Sequence, residues 1–441
     1  MHRLLLLLVS SLALFLSAAT HVVAHGPADS KTSEARLIQF PNTKSYQTLV
    51  LDLHTHSVFS DGHVWPTIRV SEALKDGLDG LAITEHLEFQ PHLSDIPHPD
   101  RNRAYEEALR AAEGHPLHVI PGVEITRTGP PGHINAVFVK DANPLVRMRG
   151  EGEELPQAEF ATKEEAVRFT QLRGPLFHGA HSVERDGETV WRPYPEPATY
   201  QAIMNFGLAV TFDTREVLKL ANEQGAFVFW NHPSFESVDA ELNDFHRSAT
   251  EDGLLHGIEI ANGDRYYPNA HRLALKHNLA LIGVSDVHEL IEWDYRPQDA
   301  HNPGHRPVTL VLAEDDSIAA MRDALFARRS IVWWKDKLIG RPKHLNELLE
   351  ATLSIESIER SQWGMVAKIR NNSDAPLQLR QKSNIALTNQ TGTILIKPND
   401  VTELTMNLDH GSSSVVFHFE VLNALVAPNT PARLKLEYTI Q

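Results

Sequence analysis

Short apolar runs recur through the first part of the chain, and polar side chains of metal-binding type follow most of them. The runs are LVLDLHTH, GLAITEH, HVIPGVEIT, HINAVFV, GAFVFWNHP, GIEIANG and LIGVSDVH. Near-continuous apolar runs of this length are typical of strands that are buried on both faces of a parallel sheet. The pattern therefore predicts seven buried strands.

Several stretches between these runs carry the start and stop signals of helices. PTIRVSEALKDG begins with proline and ends with glycine, DRNRAYEEALRAAEG also ends with glycine, and DTREVLKLANEQG offers Asp213 as a cap with Glu216 three residues on. Strands that alternate with helices imply right-handed parallel crossovers, and closed α/β barrels carry their functional residues at the carboxyl ends of the strands. We therefore expect an α/β barrel.

The pattern changes near Lys343, after DDSIAAMRDALFARRSIVWW, which predicts a closing helix and a final extended stretch. Seven β-rich segments follow with turn residues between them: TLSIESI, MVAKIRN, PLQLRQ, TILIKP, VTELTMNL, VVFHFEVL and LKLEYTI. They predict a small all-β sandwich domain of about a hundred residues. It is expected to pack against the barrel or to pair subunits, and the second role would make the protein a homo-oligomer. No exposed aromatic pattern supports a role in binding surfaces.

The N-terminal segment has the three parts of a secretory signal peptide. Arg3 gives a basic start, an apolar run extends from Leu4 to about Ala19, and Ala24 with Val22 two positions earlier resembles a cleavage site. A membrane anchor is the alternative, but the run is short for a span. Cleavage would leave a secreted or periplasmic protein without stable membrane insertion.

These boundaries give the expected organisation: a signal peptide over 1–24, a barrel over 25–342 with an insertion at about 141–200, and the sandwich over 343–441. So long an insertion in a barrel is usually a lid or a binding loop. Within it, His178 and His181 are not expected to form a metal pair, because the flanking glycines disfavour a single helical face.

Charge and cysteine content narrow the chemistry. The 441 residues include 41 Lys and Arg against 57 Asp and Glu, for a formal net charge of −16. A long nucleic-acid partner is not expected, because such binding needs a basic surface, but local cations could still hold a small anion. Without cysteine there is no disulfide, lipoprotein anchor or thiolate site, so any transition metal must be held by carboxylates and by some of the 25 histidines.

The stretch LDLHTHSVFSDG indicates such a metal site. Residues two apart in a strand share a face, so His54 and His56 can approach one ion from the strand's end, and Asp52 is expected to point away. Similar residues at the other strand ends give nine candidate ligands: His54, His56, Asp61, His86, Glu124, His133, His232, Asp286 and His288.

Nine donors exceed the needs of one ion, since zinc usually takes four ligands, so two or three ions are expected. A lone histidine at a strand end is more often a hydrogen-bonded structural residue. Burying several histidines and carboxylates together, however, is costly unless a charge pairs with them.

In this order and at these spacings, DLHTHSVFSDG, ITEH, GVEI, GH, NHP and SDVH resemble the PHP (polymerase and histidinol phosphatase) superfamily, over about Leu51 to Arg329. The resemblance implies a distorted seven-stranded (β/α)7 barrel with a di- or trinuclear metal centre that hydrolyses phosphoesters. It implies one ion held by His54, His56, Glu124 and Asp286, a second bridged by Glu124 and held by His133 and His232, and a third held by Asp61, His86 and His288. Glu85 is a departure, because many members have aspartate there, and it concerns the orientation of neighbouring groups.

Adjacent divalent ions lower the pKa of a bound water and so provide a hydroxide nucleophile. We expect a metal-bridging hydroxide to attack phosphorus in line, while the third ion and nearby cations hold the other oxygens. Glu124, Asp286 and His288 are the expected catalytic residues, with the last two as candidates for assisting the leaving oxygen. Zinc, manganese and iron all accept these donors. Arg265 and Arg306 are candidate phosphate clamps, with surface salt bridges as the alternative role.

The favoured function is an exported phosphodiesterase that acts on a small phosphate-ester substrate, because similar C-terminal β domains accompany exported phosphodiesterase-like members of the superfamily. The alternatives are a phosphomonoesterase of the histidinol-phosphatase type and a metal-dependent hydrolase of C–N or carboxyl-ester bonds. A non-catalytic metal-binding or adhesion module conflicts with the intact ligand set. A nuclease for long polymers fits the acidic charge poorly.

Overall fold

A computed structural model of the chain describes residues 37–92, 95–96, 99–127, 131–148, 160–172, 177–185, 187–195, 209–210, 213–234, 242–295, 304–362, 364–390, 392–408 and 413–440. The expected signal peptide over 1–24 lies outside the described residues, as does much of the insertion. Within the described ranges, no helix combines the length and the apolar character that crossing a membrane requires.

The described strands and helices follow one another along the chain. The strands are β1 (Gln47–Asp52), β2 (Gly80–Ile83), β3 (His118–Ile125), β4 (Ile134–Val137), β5 (Arg147–Met148), β6 (Phe177–Arg185), β7 (Glu188–Pro195), β8 (Ala209–Val210), β9 (Phe227–Trp230), β10 (Gly257–Asn262), β11 (Arg265–Tyr266), β12 (Ala280–Val284), β13 (Val308–Ala313), β14 (Ser330–Trp334), β15 (Lys337–Gly340), β16 (Leu353–Ser361), β17 (Gly364–Asn371), β18 (Leu377–Gln381), β19 (Ala386–Leu387), β20 (Thr393–Ile396), β21 (Val401–Asn407), β22 (Ser414–Ala427) and β23 (Thr430–Thr439). The helices are α1 (Pro66–Asp76), α2 (Arg103–Ala111), α3 (Lys163–Leu172), α4 (Thr214–Glu223), α5 (Asp244–Glu251), α6 (Pro268–Lys276), α7 (Ile291–Asp294), α8 (Ile318–Phe326) and α9 (Pro342–Thr352).

The seven apolar runs form a ring of seven strands, in the order β1, β2, β3, β4, β9, β10, β12. The ring closes just beyond β1 and β12, where Thr55 forms a parallel bridge with Val287. β13 pairs antiparallel with the earlier part of β1, so β1 has neighbours from two directions and the barrel is distorted. The predicted distorted seven-stranded barrel is confirmed.

One strand departs from the expected parallel arrangement. β4 is antiparallel to both of its neighbours, β3 and β9, whereas the other ring ladders are parallel. The reversal brings the residue before β4 to the edge where its neighbours end. A histidine that precedes a strand can therefore lie among side chains that follow other strands.

The predicted helix signals are also confirmed. α1 begins with Pro66 and is followed by Gly77 in the left-handed region, at φ 70°, a conformation that glycine adopts without a Cβ clash. At α4 the carboxylate of Asp213 accepts a hydrogen bond from the main-chain N–H of Arg215, which satisfies one of the free donors of the first turn.

Two antiparallel sheets form the C-terminal domain, and the seven predicted segments all form strands there. One sheet has the order β16, β17, β21, β19, and in the other β22 pairs with β18 and β23 while β18 pairs with β20. The sequence did not predict β19. Because β15 pairs in parallel with β22 and α9 connects the domains, a continuous cluster of buried apolar side chains extends from the barrel into the sandwich.

The described parts of the insertion contain regular structure. A 3-10 turn (Asn143–Leu145) is followed by α3 and by the antiparallel pair of β6 and β7. His181 is exposed on β6. The lid role predicted for the insertion remains a prediction.

Candidate metal centre

Polar side chains converge at the edge of the barrel where the parallel strands end. His54 and His56 follow β1, His86 follows β2 and Glu124 lies near the end of β3. His133 precedes the reversed strand β4 and therefore joins them. The remaining predicted ligands lie in the segments after β1, β9 and β12: Asp61, His232, Asp286 and His288.

The first cluster is formed by the ends of β1 and β12. The Nε2 atoms of His54 and His56 are 3.0 Å apart, and each lies 3.2 Å from Oδ1 of Asp286. Both histidine side chains are fully buried. Three donor atoms in mutual contact form one face of a coordination site.

Glu124 lies between this first cluster and a second. Its Oε1 is 2.9 Å from Nδ1 of His133 and 3.5 Å from both Nε2 of His232 and Nε2 of His54. Its Oε2 is 3.6 Å from Nε2 of His56. The carboxylate therefore faces both groups, which is the arrangement that the predicted bridging role requires.

Asp61 is the centre of the third cluster. Its Oδ1 lies 3.3 Å from Nε2 of His86 and 3.2 Å from Nε2 of His288. The other ring nitrogen of His86 is 2.6 Å from Oε2 of Glu124, so this cluster adjoins the second. The nine predicted ligands are thus brought together in three neighbouring groups.

Two buried carboxylate oxygens test whether these groups suit metal ions. Oε2 of Glu124 and Oδ1 of Asp61 are buried and have no hydrogen-bond partner of acceptable geometry, although imidazole nitrogens surround them. An unsatisfied buried carboxylate oxygen is costly, and a divalent cation between carboxylate and imidazole removes that cost. The residues therefore fit several metal ions, and their oxygen and nitrogen donors suit zinc, manganese or iron alike.

The pKa values show how strongly these groups interact. Burial alone would raise the pKa of Glu124, but His86, His133 and His54 hold it well below its ordinary value. Burial would lower the pKa of His288, yet Asp61 and Asp286 raise it to about 9. The carboxylates thus remain ionised, and they attract either protons or metal ions to the histidines.

Glu259 is a residue of the site that the sequence reading missed. This fully buried carboxylate in β10 accepts hydrogen bonds from Nδ1 of His54 at 2.7 Å, from the main-chain N–H of His232 at 2.6 Å and from Nδ2 of Asn262 at 2.8 Å. With its Nδ1 bound to Glu259, His54 presents Nε2 to the first cluster. The acidic residue within the apolar run GIEIANG was the available signal.

The backbone is unusual at two of the ligands. His232 and Asp286 have positive φ angles of 23° and 52°, in a region that favours glycine. Such strain persists where surrounding contacts hold it and is common at functional sites. The contact of Glu259 with the main-chain N–H of His232 is one such restraint.

Glu85, the departure from the family pattern, orders the loop after His56. It is buried, and it accepts hydrogen bonds from the main-chain N–H of Ser57 and from the hydroxyls of Ser57 and Ser60. The Ser60 hydroxyl lies 3.2 Å from Nδ1 of His56. Glu85 therefore acts on the orientation of His56 through Ser60.

The two predicted phosphate clamps differ in their surroundings. The guanidinium of Arg306 is fully buried and pairs with Asp52 at 3.2 Å and Asp76 at 2.9 Å, so it cannot meet a substrate, and its predicted role is wrong. Asp52 does point away from the clusters, as predicted. Arg265 begins β11 with an exposed side chain, and its role as a clamp stays a prediction.

Comparison with known proteins gives two matches to family models. A PHP domain matches residues 52–184, and an Ig-like domain matches residues 353–437. The second match agrees with the predicted β-sandwich. No curated protein matches the chain.

Among solved structures, a two-domain protein from Bacteroides vulgatus ATCC 8482 that contains a predicted PHP-like metal-dependent phosphoesterase is 31% identical, over 91% of this chain and 98% of that one, with a TM-score of 0.69. A protein from Bifidobacterium adolescentis ATCC 15703, described as a candidate metal-dependent phosphoesterase, is 20% identical over 63% of this chain and 96% of its own, with a TM-score of 0.36. An amidohydrolase from Chromobacterium violaceum is 16% identical over 65% and 98%, with a TM-score of 0.32. The last two likenesses are too distant to carry an argument.

Proposed function

Because the chain belongs to the family of PHP-like metal-dependent phosphoesterases, we propose that it is an exported phosphodiesterase that hydrolyses small organic phosphate esters. The observation that carries the proposal is the position of Glu124, whose carboxylate lies between the histidines of the first and second clusters and also meets His86 of the third. A carboxylate in this position would supply a ligand to ions held by both groups of histidines.

Divalent ions in these clusters would supply a nucleophilic water of lowered pKa and neutralise charge on the phosphate. His54, His56 and Asp286 would hold one of them, His133 and His232 would hold another, and Glu124 would contribute to both. His86, His288 and Asp61 would hold a third. The main chain orients one of these ligands, because the Asp286 carbonyl lies 2.8 Å from Nδ1 of His288, so Nε2 faces Asp61.

Exposure indicates the side from which an ester approaches. The side chains of His54, His56 and Glu124 are fully buried, whereas His288 is 33% exposed and Asp61 is 28% exposed. Solvent therefore reaches the centre beside the third cluster. We infer that the phosphate enters there, and that His288 and Asp286 lie nearest to the leaving oxygen.

The preference for diesters is supported by the two-domain arrangement together with the N-terminal sequence, because similar C-terminal β domains accompany exported phosphodiesterase-like members of the superfamily. The sequence of residues 1–24 has the features of an export signal, and an Ig-like domain follows the catalytic domain.

Export is tested by the mass of the mature chain recovered outside the cytoplasm. A chain that begins after Ala24 supports the proposal, and an intact N-terminus in the cytoplasm contradicts it.

The central experiment combines metal analysis of protein purified without chelator with hydrolysis of bis(p-nitrophenyl) phosphate and p-nitrophenyl phosphate by the same sample. We expect more than one metal ion per chain and faster turnover of the diester, with both lost after chelation and restored by zinc, manganese or iron. Preference for the monoester would assign a phosphatase instead. Activity on amides or lactones without activity on either phosphate would assign a hydrolase of C–N or carboxyl-ester bonds.

A further inference from the structure

The joint that closes the barrel lies beside four of the nine predicted ligands. There the segment after β1, with His54 and His56, runs next to the segment after β12, with Asp286 and His288. This joint has one isolated bridge, whereas the other ladders of the ring have two to five aligned residue pairs. Three main-chain hydrogen bonds join the two segments: from the N–H of Asp286 to the carbonyl of His54 at 3.0 Å, from the N–H of His56 to the carbonyl of Val287 at 3.1 Å, and from the N–H of His63 to the carbonyl of His288 at 2.9 Å.

A buried arginine spans this joint from outside the ring. Arg69 lies on α1 and is 0% exposed. Its Nε donates to the carbonyl of His56 at 2.8 Å, and its Nη2 donates to the carbonyl of Val287 at 3.3 Å. One planar guanidinium therefore contacts the main chain of both segments. His56 is itself a predicted ligand, and Val287 lies between two others, Asp286 and His288.

The contacts of Arg69 continue to the chain beyond His288. Its Nη1 donates to Oε2 of Glu72 at 2.7 Å, and Oε1 of Glu72 accepts the main-chain N–H of Ile291 at 2.8 Å. Glu72 balances the charge of the buried guanidinium, which would otherwise be strongly destabilising. Through this pair, α1 fixes both sides of the joint and the first turn of α7.

We propose that Arg69, supported by Glu72, is a positioning residue of the metal centre. The guanidinium holds the carbonyls of His56 and Val287 at a fixed separation, and it thereby sets the distance between the histidines of β1 and the Asp286 and His288 pair. A rigid, forked donor is suited to this task, whereas the flexible, single ammonium of lysine cannot hold both carbonyls in one geometry.

A purely structural role is the competing explanation, and Arg341 provides the matched control. Its Nη2 donates to the carbonyls of Ala274 at 3.1 Å and Leu279 at 2.9 Å, so it also joins two main-chain segments. Neither segment carries a predicted ligand. Loss of Arg341 should therefore reduce stability without affecting the metal centre.

The test compares Arg69→Met, Arg69→Lys and Arg341→Met in the full-length mature protein. Zinc affinity of the metal-free form is measured by competition with a chromogenic chelator, and Tm is measured by circular dichroism. We expect both Arg69 variants to lose about tenfold in zinc affinity at one site or more, which is the usual effect of removing a group that orients ligands. Arg341→Met should lower Tm and bind zinc as the unchanged protein does.

Unchanged zinc affinity in the Arg69 variants would overturn the proposal, as would an equal loss of affinity in Arg341→Met. Full affinity in Arg69→Lys would contradict the bridging role. If Arg69→Met does not fold, Glu72→Gln provides the second variant, and it should show a smaller loss of affinity in the same direction. Unchanged affinity in that variant would count against the proposal.

The inference rests on the metal centre of the proposed function but not on its substrate. If the unchanged protein binds no zinc, manganese or iron, the proposed function itself fails. If it binds metal and the Arg69 variants match it, only the positioning role fails. Because no ester is present in the measurement, a wrong substrate assignment does not affect the outcome.

Discussion

The ligand end of the barrel and the C-terminal sandwich both bury polar groups, but groups of different kinds. In the sandwich, the amides of Asn371 and Asn423 are buried, and each donates to two main-chain carbonyls. At the ligand end the buried groups include histidines and carboxylates, and Oδ1 of Asp61 and Oε2 of Glu124 meet imidazole nitrogens without a hydrogen bond of acceptable geometry. Neutral groups that satisfy the backbone are structural, whereas buried ionisable groups that crowd together are arranged for a ligand.

The largest expected effect is that of Glu124→Gln, because it removes the charge at the middle of the metal centre. A neutral amide cannot hold two cations and presents N–H groups to the surrounding histidines. We expect loss of bound metal and a fall in kcat of about a thousandfold or more on a phosphodiester substrate, since metal and positioned charge supply most of the rate.

Metal content by mass spectrometry and turnover are measured on the same Glu124→Gln sample. The matched control is Glu420→Gln on β22 of the sandwich, a carboxylate near Arg380 at 3.5 Å, which should retain both metal and turnover. Full metal content and activity in Glu124→Gln would refute its bridging role and remove the contrast between the two regions.

The second prediction concerns the sandwich. Phe417 on β22 is fully buried and stacks on Phe419, with ring centroids 5.5 Å apart. Phe417→Ala should lower the free energy of unfolding by about 3 to 5 kcal/mol, because it removes apolar contacts and leaves a cavity. Activity per folded molecule should stay unchanged at low temperature.

Urea unfolding and turnover at 10 to 15 °C (about the temperature of greatest stability for most proteins) separate these two quantities for Phe417→Ala. A fall in kcat with unchanged metal content would show that the sandwich contributes to the reaction, contrary to the comparison. A fall in both stability and metal content would indicate that the shared apolar cluster couples the two domains.

The third prediction concerns Glu259, which is not one of the nine predicted ligands but orients two of them. Glu259→Gln preserves the size of the side chain and weakens the acceptor for His54 and for the main chain of His232. Metal affinity should fall by about 10- to 100-fold, with turnover restored at high metal concentration. Turnover as a function of added metal measures this directly, and failure of high metal to restore it would assign Glu259 a different role.

These residues also show what the sequence could and could not predict. His54, His56, Asp286 and His288 each come just after an apolar run that predicts a strand. Because the ends of the strands meet at one edge of a barrel, their cluster could be predicted from the sequence. Glu259 was missed because it lies within an apolar run rather than after it, and nothing in that run indicated its contact with His54. That contact depends on the order of strands around the ring, which periodicity does not encode.

Two further differences between the predictions and the structure also arise from the three-dimensional arrangement of distant segments. Arg306 looked like a phosphate clamp because arginines often bind phosphate, but its surroundings are set by Asp52 and Asp76, more than two hundred residues earlier. The reversal of β4 was hidden because a four-residue apolar strand has no direction in its pattern. His133 was nevertheless predicted correctly to join the other strand ends, through its match to the family motif.

The smallest expected effect is that of Arg265→Ala. Arg265 comes shortly after β10, the strand that contains Glu259. Its exposed guanidinium lies 3.8 Å from the carboxylate of Asp264, and so long a contact at the surface is not a structural ion pair. If it contacts the substrate phosphate, its loss should raise KM by about three- to tenfold at constant kcat, because one charge-assisted contact at an exposed position contributes about 1 kcal/mol. Arg380→Ala, an exposed arginine of the sandwich, is the control and should leave KM unchanged. Equal KM values for both variants would place the phosphate contact elsewhere, whereas a change in metal content for Arg265→Ala would make it a residue of the centre rather than of the substrate site.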